Sequence, residues 1–415
     1  MNNQPSSYFS SDINQSDSAT SSTLLVNNET YSPTDKLFKS ILLDALHVQA
    51  SDIHFEPYEN FTRVRFRCDG TLTEYQKPSF STYKKLIAHI KVLAELDISE
   101  QRKPQDGRMQ FQDQSDNLQQ ADLRVSTLPT QWGEKLVLRI LKSNKECLRI
   151  DQLGMSQIQE ALFTNALDKT QGLILITGPT GSGKTVSLYA ALQYLNKPEV
   201  NIACAEDPVE ITIPGINQVQ VKHQIGFNFS EALRAFLRQD PDIIMLGEIR
   251  DSETAKMTVK AAQTGHLVLS TLHTNSASES LQRLINMGVE PYNLTSCVSL
   301  VVAQRLIKKL CPKCKKPQID TTLLDPVISL SDAELYQANP SGCQQCNQGY
   351  AGRLAIFEAI EMNEELAGML LSHSPSENIE KYFKAHNIFS LHESAIEALH
   401  KGFSSYQEIK RVLSL

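Results

Sequence analysis

The sequence predicts an α/β protein in which a parallel-sheet domain follows a smaller α+β domain. Three observations carry this expectation. First, Gly178-Pro179-Thr180-Gly181-Ser182-Gly183-Lys184-Thr185 lies between an apolar run at 173–176 and a helical stretch at 187–194. Strand, glycine loop and helix in that order are the setting of a phosphate-binding loop. Second, from about Asp151 onward apolar strands alternate with helical stretches, the pattern of βα units in a parallel sheet with helices on both faces. Third, residues 63–70 alternate strictly: Val64, Phe66 and Cys68 face a core, and Arg63, Arg65 and Arg67 face away.

Taken in order, residues 1–34 are rich in Ser, Asn, Thr and Asp and contain no Lys or Arg. They read as a disordered tail, because they offer too little apolar surface to offset the entropy of ordering. Leu24-Leu25-Val26 is a small apolar island within it. An α+β domain is expected over 35–142. Leu37, Phe38, Ile41, Leu42 and Ala45 follow helical spacing, Asp69-Gly70 signals a turn, 81–97 reads as a helix, and 108–112, 122–127 and 135–141 read as strands. Residues 143–150 read as a linker, and 151–415 as the parallel-sheet domain. A cysteine-bearing insertion occupies 308–350, and the chain from 355 onward reads as mostly helical.

Bulk properties exclude several classes. The 415 residues carry a net charge of −7, which argues against a general nucleic-acid binder. No apolar run reaches the length of a membrane span. The N-terminus shows neither a basic region nor an apolar core, so no secretory signal is read and a cytoplasmic setting is expected. Thiols stay reduced there, and the eight cysteines need an explanation other than disulfides.

The chemistry-bearing segments begin with the loop at 178–185. Its glycines let backbone N–H groups converge on phosphate oxygens, Lys184 reaches the outer phosphates and the Thr185 hydroxyl ligates Mg²⁺. In 238–251 a buried strand ends in Gly247-Glu248. A carboxylate at the C-terminal end of such a strand polarises water or holds the Mg²⁺ hydration shell, so Glu248 is the expected catalytic acid. In 204–210, Glu206, Asp207 and Glu210 crowd together after a short apolar strand, an arrangement that calls for a nearby cation. His266 and His273 flank a further apolar strand and are candidates to sense the terminal phosphate. Cys311-Pro-Lys-Cys314 and Cys343-Gln-Gln-Cys346 form paired C-x₂-C motifs suited to a tetrahedral Zn²⁺ site.

In this order the segments resemble the secretion and pilus ATPase superfamily, in its type II secretion and type IV pilus assembly branch. The resemblance runs from about Lys36 to the C-terminus. It implies a RecA-like P-loop ATPase domain preceded by that family's second N-terminal domain, with ATP, Mg²⁺ and Zn²⁺ as cofactors. It further implies a homohexameric ring at the inner face of the bacterial inner membrane, associated with the membrane through a platform protein. Arg108 and Arg124, by their place in 102–108 and 123–127, are expected to reach nucleotide phosphates. Arg234, Arg238, Arg250 and Arg353 are similar candidates, since guanidinium groups neutralise charge on a transferred phosphoryl. The tetracysteine module belongs to assembly-type members and argues against a retraction motor. Type IV pilus assembly is the expected function. A type II secretion or competence-pilus ATPase is the alternative in the same class, and a nucleotide-binding scaffold with little turnover the alternative in another. Long members carry a further N-terminal domain that the tail does not match, so cyclic di-GMP control through it is not expected. Val186 stands where many members carry a hydroxyl residue.

Overall fold

The computed structural model describes residues 23–25, 32–68, 70–112, 120–141, 149–318, 334–372, 374 and 376–413. Most of the expected tail, nearly all of the expected linker, and Cys147 lie outside the described residues. The chain separates into two compact units, Met1–Ser143 and Asn144–Leu415.

The first unit is built from β1 (Thr23–Leu25), α1 (Pro33–His47), β2 (Asp52–Pro57), β3 (Thr62–Cys68), β4 (Thr71–Gln76), α2 (Phe80–Leu93), β5 (Gln105–Gln112), β6 (Gln120–Thr130) and β7 (Gly133–Leu141). Helix α1 starts ahead of the expected boundary at Asp35. Ser32 caps it reciprocally: its hydroxyl accepts from the Asp35 N–H while the Asp35 carboxylate accepts from the Ser32 N–H. The strands form one sheet in the order β1-β5-β6-β7-β2-β3-β4. Its alternation gives two unlike faces. Ile53, Phe55, Val64, Phe66, Leu123 and Leu136 pack into one core with Phe38, Ile41, Leu86 and Ile90 of α1 and α2. The other face carries Asp52, His54, Glu56 and the arginines of β3.

The second unit contains α3 (Gln157–Leu167), β8 (Gly172–Thr177), α4 (Lys184–Leu195), β9 (Ile202–Glu206), β10 (Asn217–Gln220), α5 (Phe229–Phe236), β11 (Ile243–Leu246), α6 (Ser252–Gln263), β12 (Leu267–Leu272), α7 (Ala277–Asn286), α8 (Pro291–Cys297) and β13 (Val298–Leu310). The short β14 (Lys316–Pro317) and β15 (Tyr336–Gln337) form a separate pair, followed by β16 (Tyr350–Glu361) and helices α9 (Glu364–Leu371), α10 (Ser376–Ala385), α11 (Leu391–His400) and α12 (Tyr406–Leu413). The main sheet runs β10-β9-β11-β12-β8-β13-β16. Strands β8 to β13 pair in parallel, and β16 closes the edge antiparallel to β13. Alternate residues feed two cores: Ile174, Ile176, Cys204 and Met245 on one face with α3 and α4, Leu173, Leu175, Ile244 and Leu246 on the other. Burial on both faces is why these strands read as continuous apolar runs. The helical reading from 355 differs from the structure at its start. Residues 355–361 belong to β16, and helices begin only at Glu364.

Within the first unit, Lys91 and Glu134 form an ion pair of 2.9 Å with side chains only 1% and 7% exposed. Lys91 also donates to the Glu100 carbonyl at 2.7 Å. Removing one member of a buried pair strands the other charge. Lys91→Met is expected to cost about 3 kcal/mol in urea unfolding of this unit, and Lys91→Met/Glu134→Leu to recover most of it. Equal losses in both variants would show that the charge pairing is not what matters there.

Candidate functional site

The C-terminal ends of β8, β9, β11 and β12 gather the polar segments, as parallel α/β sheets do with their ligands. Strand β8 ends at Thr177, and the glycine loop turns back into α4, whose N-terminus lies at Lys184. Gly183 stands at the N-cap with φ +92° and supplies no side-chain cap. The first-turn N–H groups of α4 therefore point at the loop with no side chain of the cap to satisfy them. Two glycines are obligatory because of their floor. A Cβ on Gly178 would lie 2.5 Å from the Gln304 carbonyl oxygen, and one on Gly183 would lie 2.7 Å from Gln304 Nε2. Gln304 belongs to β13, is 2% exposed, and accepts a hydrogen bond from Ser187 Oγ at 2.8 Å.

Lys184 donates to the carbonyls of Gly178 at 2.7 Å and Pro179 at 3.2 Å. Burial holds its ammonium down at about 8, against the attraction of Glu248 and with a further push from the Arg305 charge. Ser182 Oγ is buried and has no hydrogen-bond partner. An orphaned hydroxyl, a lysine turned onto its own loop and N–H groups at a helix start fit the oxygens of a phosphate chain. Thr177 Oγ1 and Thr274 Oγ1 lie 2.5 Å apart, and Thr274 Oγ1 lies 2.6 Å from Ser280 Oγ. This chain of hydroxyls ties the end of β8 to the segment following β12.

Glu248 follows β11 and is bracketed by backbone. The Gly247 N–H donates to the Ala205 carbonyl at 2.8 Å, and the Ile249 N–H to the Thr271 carbonyl at 3.0 Å. Its carboxylate meets Arg250 Nη2 at 2.5 Å and His273 Nε2 at 3.2 Å. Arg250 also approaches Asp207 at 3.7 Å, and Asp207 meets His223 Nε2 at 3.1 Å. Glu248, His273, Asp207 and Arg250 thus form one charged cluster beyond the strand ends. The Arg250 guanidinium is held above its ordinary value, chiefly by its hydrogen bond to Glu248.

Other expected residues are placed differently. Glu206 is 4% exposed, accepts from Tyr189 Oη at 2.5 Å and from Gln218 Nε2 at 2.9 Å, and burial raises its pKa. Each of its oxygens accepts one hydrogen bond, and together these anchor the acidic loop to α4. Tyr189 Oη in turn accepts from the Glu210 N–H at 3.2 Å. His266 corrects an expectation. It precedes β12, its carbonyl accepts from the Gly172 N–H at 3.1 Å, and Nδ1 lies 3.0 Å from the Ala261 carbonyl. That is the N-terminal end of β8, a whole strand away from the glycine loop. Arg234 is committed to Glu231 and Glu253, and Arg238 donates to the Arg234 carbonyl at 2.8 Å. Arg353 is exposed on β16 opposite Lys308. Arg108 and Arg124 belong to the first unit, directly opposite each other on β5 and β6. Thr185, Pro179, Thr180 and Gly181 are exposed on the loop.

Cys311 follows β13 directly, and the second cysteine pair precedes β16, so the antiparallel β13–β16 pairing brings both motifs together. Cys311, Cys314, Cys343 and Cys346 place their Sγ atoms within 4.8 Å of one another, with Cys311–Cys343 at 3.7 Å and Cys314–Cys346 at 3.5 Å. A tetrahedron with Zn–S arms of about 2.3 Å has edges of about 3.8 Å, so this donor set fits that ion. Cys68, Cys204 and Cys297 are buried.

A family profile described as type II/IV secretion system protein matches residues 27–411. The chain belongs to that family, one of secretion and pilus ATPases. It is 48% identical over 385 residues to the type IV pilus assembly ATPase PilB of Pseudomonas aeruginosa, covering 92% of this chain and 67% of the relative. It is 41% identical over 398 residues to the type II secretion system ATPase E of Vibrio cholerae, covering 94% of this chain and 77% of the relative. The chain spans about two thirds of the length of the curated pilus relatives it matches. Among solved structures, the fold matches the Legionella pneumophila ATPase DotB with a TM-score of 0.68 at 20% identity, over 94% of this chain and 98% of that one. It matches the pilus retraction motor PilT with bound ADP with a TM-score of 0.61 at 22% identity, over 90% and 95%.

Gly183→Ala places a Cβ against Gln304 Nε2 at a left-handed φ, which tilts the start of α4. The variant is expected to lose nucleotide affinity by about tenfold or more while keeping its fold, since strain at such a position costs about 1–3 kcal/mol. Binding of a fluorescent adenine nucleotide, read beside the circular dichroism spectrum, checks this.

Proposed function

We propose that this chain is the ATPase motor of a type IV pilus assembly machine, hydrolysing Mg²⁺–ATP to drive pilin polymerisation. The observation that carries the reading is the phosphate loop at 178–185 facing the Glu248 cluster, in a chain 48% identical to a PilB. Type II secretion ATPase is the second reading, supported by relatives at 40–42% identity, below the 45–48% of three type IV pilus assembly relatives.

In the proposed chemistry, loop N–H groups and Lys184 hold the phosphates, and Thr185 ligates Mg²⁺, which neutralises charge on the transferred phosphoryl when bound. Glu248 orients the attacking water, with His273 and Arg250 fixing its carboxylate. Asp207 and Glu210 shape the outer rim, with Glu206 holding their loop. Arg108 and Arg124 contribute from the first unit. Work as a homohexamer, on a platform protein at the inner membrane, follows from the family reading. No described helix is long and apolar enough to cross a membrane. The four clustered thiols are assigned to Zn²⁺ as a structural ion.

Glu248→Gln is expected to lower ATP turnover by about 100-fold or more while nucleotide affinity stays within a fewfold, because a water-orienting residue acts mainly in the transition state. Wild-type turnover in the variant contradicts the assignment. Cys343→Ser is expected to remove bound zinc, from one ion per chain to none by elemental analysis, and to lower the melting temperature. Full zinc retention contradicts the four-thiolate site.

A further inference from the structure

Arg305 is a buried charge that the chemistry above does not use. It lies on β13 two residues beyond Ala303, which pairs with Thr177 at the end of β8, and it is 7% exposed. Its three hydrogen bonds all go to neutral acceptors. Nη1 donates to the Gln304 carbonyl at 3.0 Å, and Nη2 donates to the Asn275 carbonyl at 2.8 Å and to Asn275 Oδ1 at 3.2 Å. No carboxylate of the described residues pairs with it. The acids whose field it feels most, Glu358 and Glu279, are engaged elsewhere: Glu358 accepts from the Ala277 and Leu391 N–H groups, and Glu279 from the Asn275 N–H.

The partners of Arg305 are the parts of the site that must stay in register. The Gln304 carbonyl it grips is the atom against which Gly178 packs with no room for a Cβ. Asn275 lies two residues after His273, which meets Glu248. One guanidinium therefore fastens the floor of the phosphate loop to the segment that orients the Glu248 carboxylate. A buried guanidinium without a paired anion is unfavourable, and its field reaches Lys184 on the phosphate loop. A polyphosphate chain held by that loop is the anion best placed to balance both charges.

We propose that Arg305 is a positioning residue of the nucleotide site: a buried brace between the loop floor and the His273 segment whose positive charge is balanced by the bound phosphates. This rests on the ATPase reading. The Asn275 contacts serve turnover and the charge serves affinity, so the two separate experimentally. Lysine at 305 keeps the charge but cannot span both partners with a planar fork. Methionine keeps much of the stem and removes the charge.

The test measures the affinity of a fluorescent ATP analogue and the turnover of ATP in wild type, Arg305→Lys, Arg305→Met and Asn275→Ala, with melting temperatures alongside. Arg305→Met is expected to weaken nucleotide binding by about tenfold or more. Arg305→Lys is expected to stay within about threefold in affinity and to lose about tenfold in kcat. Asn275 is exposed, so Asn275→Ala removes the side-chain half of the brace, the Oδ1 contact, without emptying a buried site, while the bond to the backbone carbonyl at 275 stays. That variant is expected to lower kcat about threefold at unchanged KM, and Arg305→Lys/Asn275→Ala to be no worse than Arg305→Lys alone. Folded Arg305→Met with wild-type affinity and turnover overturns the proposal. So does an additive double variant, or Arg305→Lys with wild-type kcat if Arg305→Met fails to fold. A wild type that binds nucleotide without turnover contradicts the ATPase reading instead, and the affinity comparison of lysine with methionine still decides the charge role.

Discussion

The rest of the site depends on the contact between the phosphate loop and β13. Gly178 and Gly183 can take their left-handed conformations anywhere, but here each also abuts Gln304 where a side chain would overlap it. The strand fixes the height of the loop, and the loop fixes where α4 begins. Lys184, Thr185 and the free N–H groups of the first turn are then placed together. Because β13 continues straight into Cys311, the strand that supports nucleotide chemistry is also the one from which the tetracysteine module hangs. Strand β16 returns from that module and delivers Glu358, which holds the N-termini of α7 and α11 through backbone N–H groups. A two-stranded arm thus serves the loop floor, the cysteine cluster and two helix starts.

Electrostatics divide the site into two regions. Under the loop, positive charge is buried and short of anions, with Lys184 on carbonyls and Arg305 on neutral acceptors. Beyond the strand ends, Glu248 and Asp207 alternate with Arg250, His223 and His273 in a more exposed cluster. An anion gains from the first region and a metal cation or polarised water from the second. The phosphate chain of a nucleotide with its Mg²⁺ presents both kinds of charge.

Much of this was legible in the residues. The glycine loop announced itself through spacing and context, and the apolar runs of β8, β11 and β12 appeared as runs because both faces are buried. The misreadings have simple geometric causes. His266 and His273 flank one strand and look equivalent in sequence, but parallel strands put ligands only at their C-terminal ends, which leaves His273 alone. Glu206 stands with its acidic neighbours in sequence, while strand parity aligns it with Ile202 and Cys204, which point into a core. No motif marks Gln304 and Arg305. The available signal is their polarity inside 300–307, an otherwise apolar run. The start of β16 reads as helix in sequence because its pairing with β13 is made across the whole cysteine insertion, and no local pattern reports so distant a partner.

The central claim is that the loop at 178–185 and the strand ends facing it hydrolyse ATP. Mg²⁺-dependent phosphate release, followed across ATP and protein concentrations in wild type and Lys184→Ala, tests it most directly. The account predicts saturable turnover in the wild type that is lost with the lysine, since Lys184 is the loop's only long cation. Turnover that survives in Lys184→Ala at the wild-type rate would contradict it, because the chemistry would then lie outside this loop.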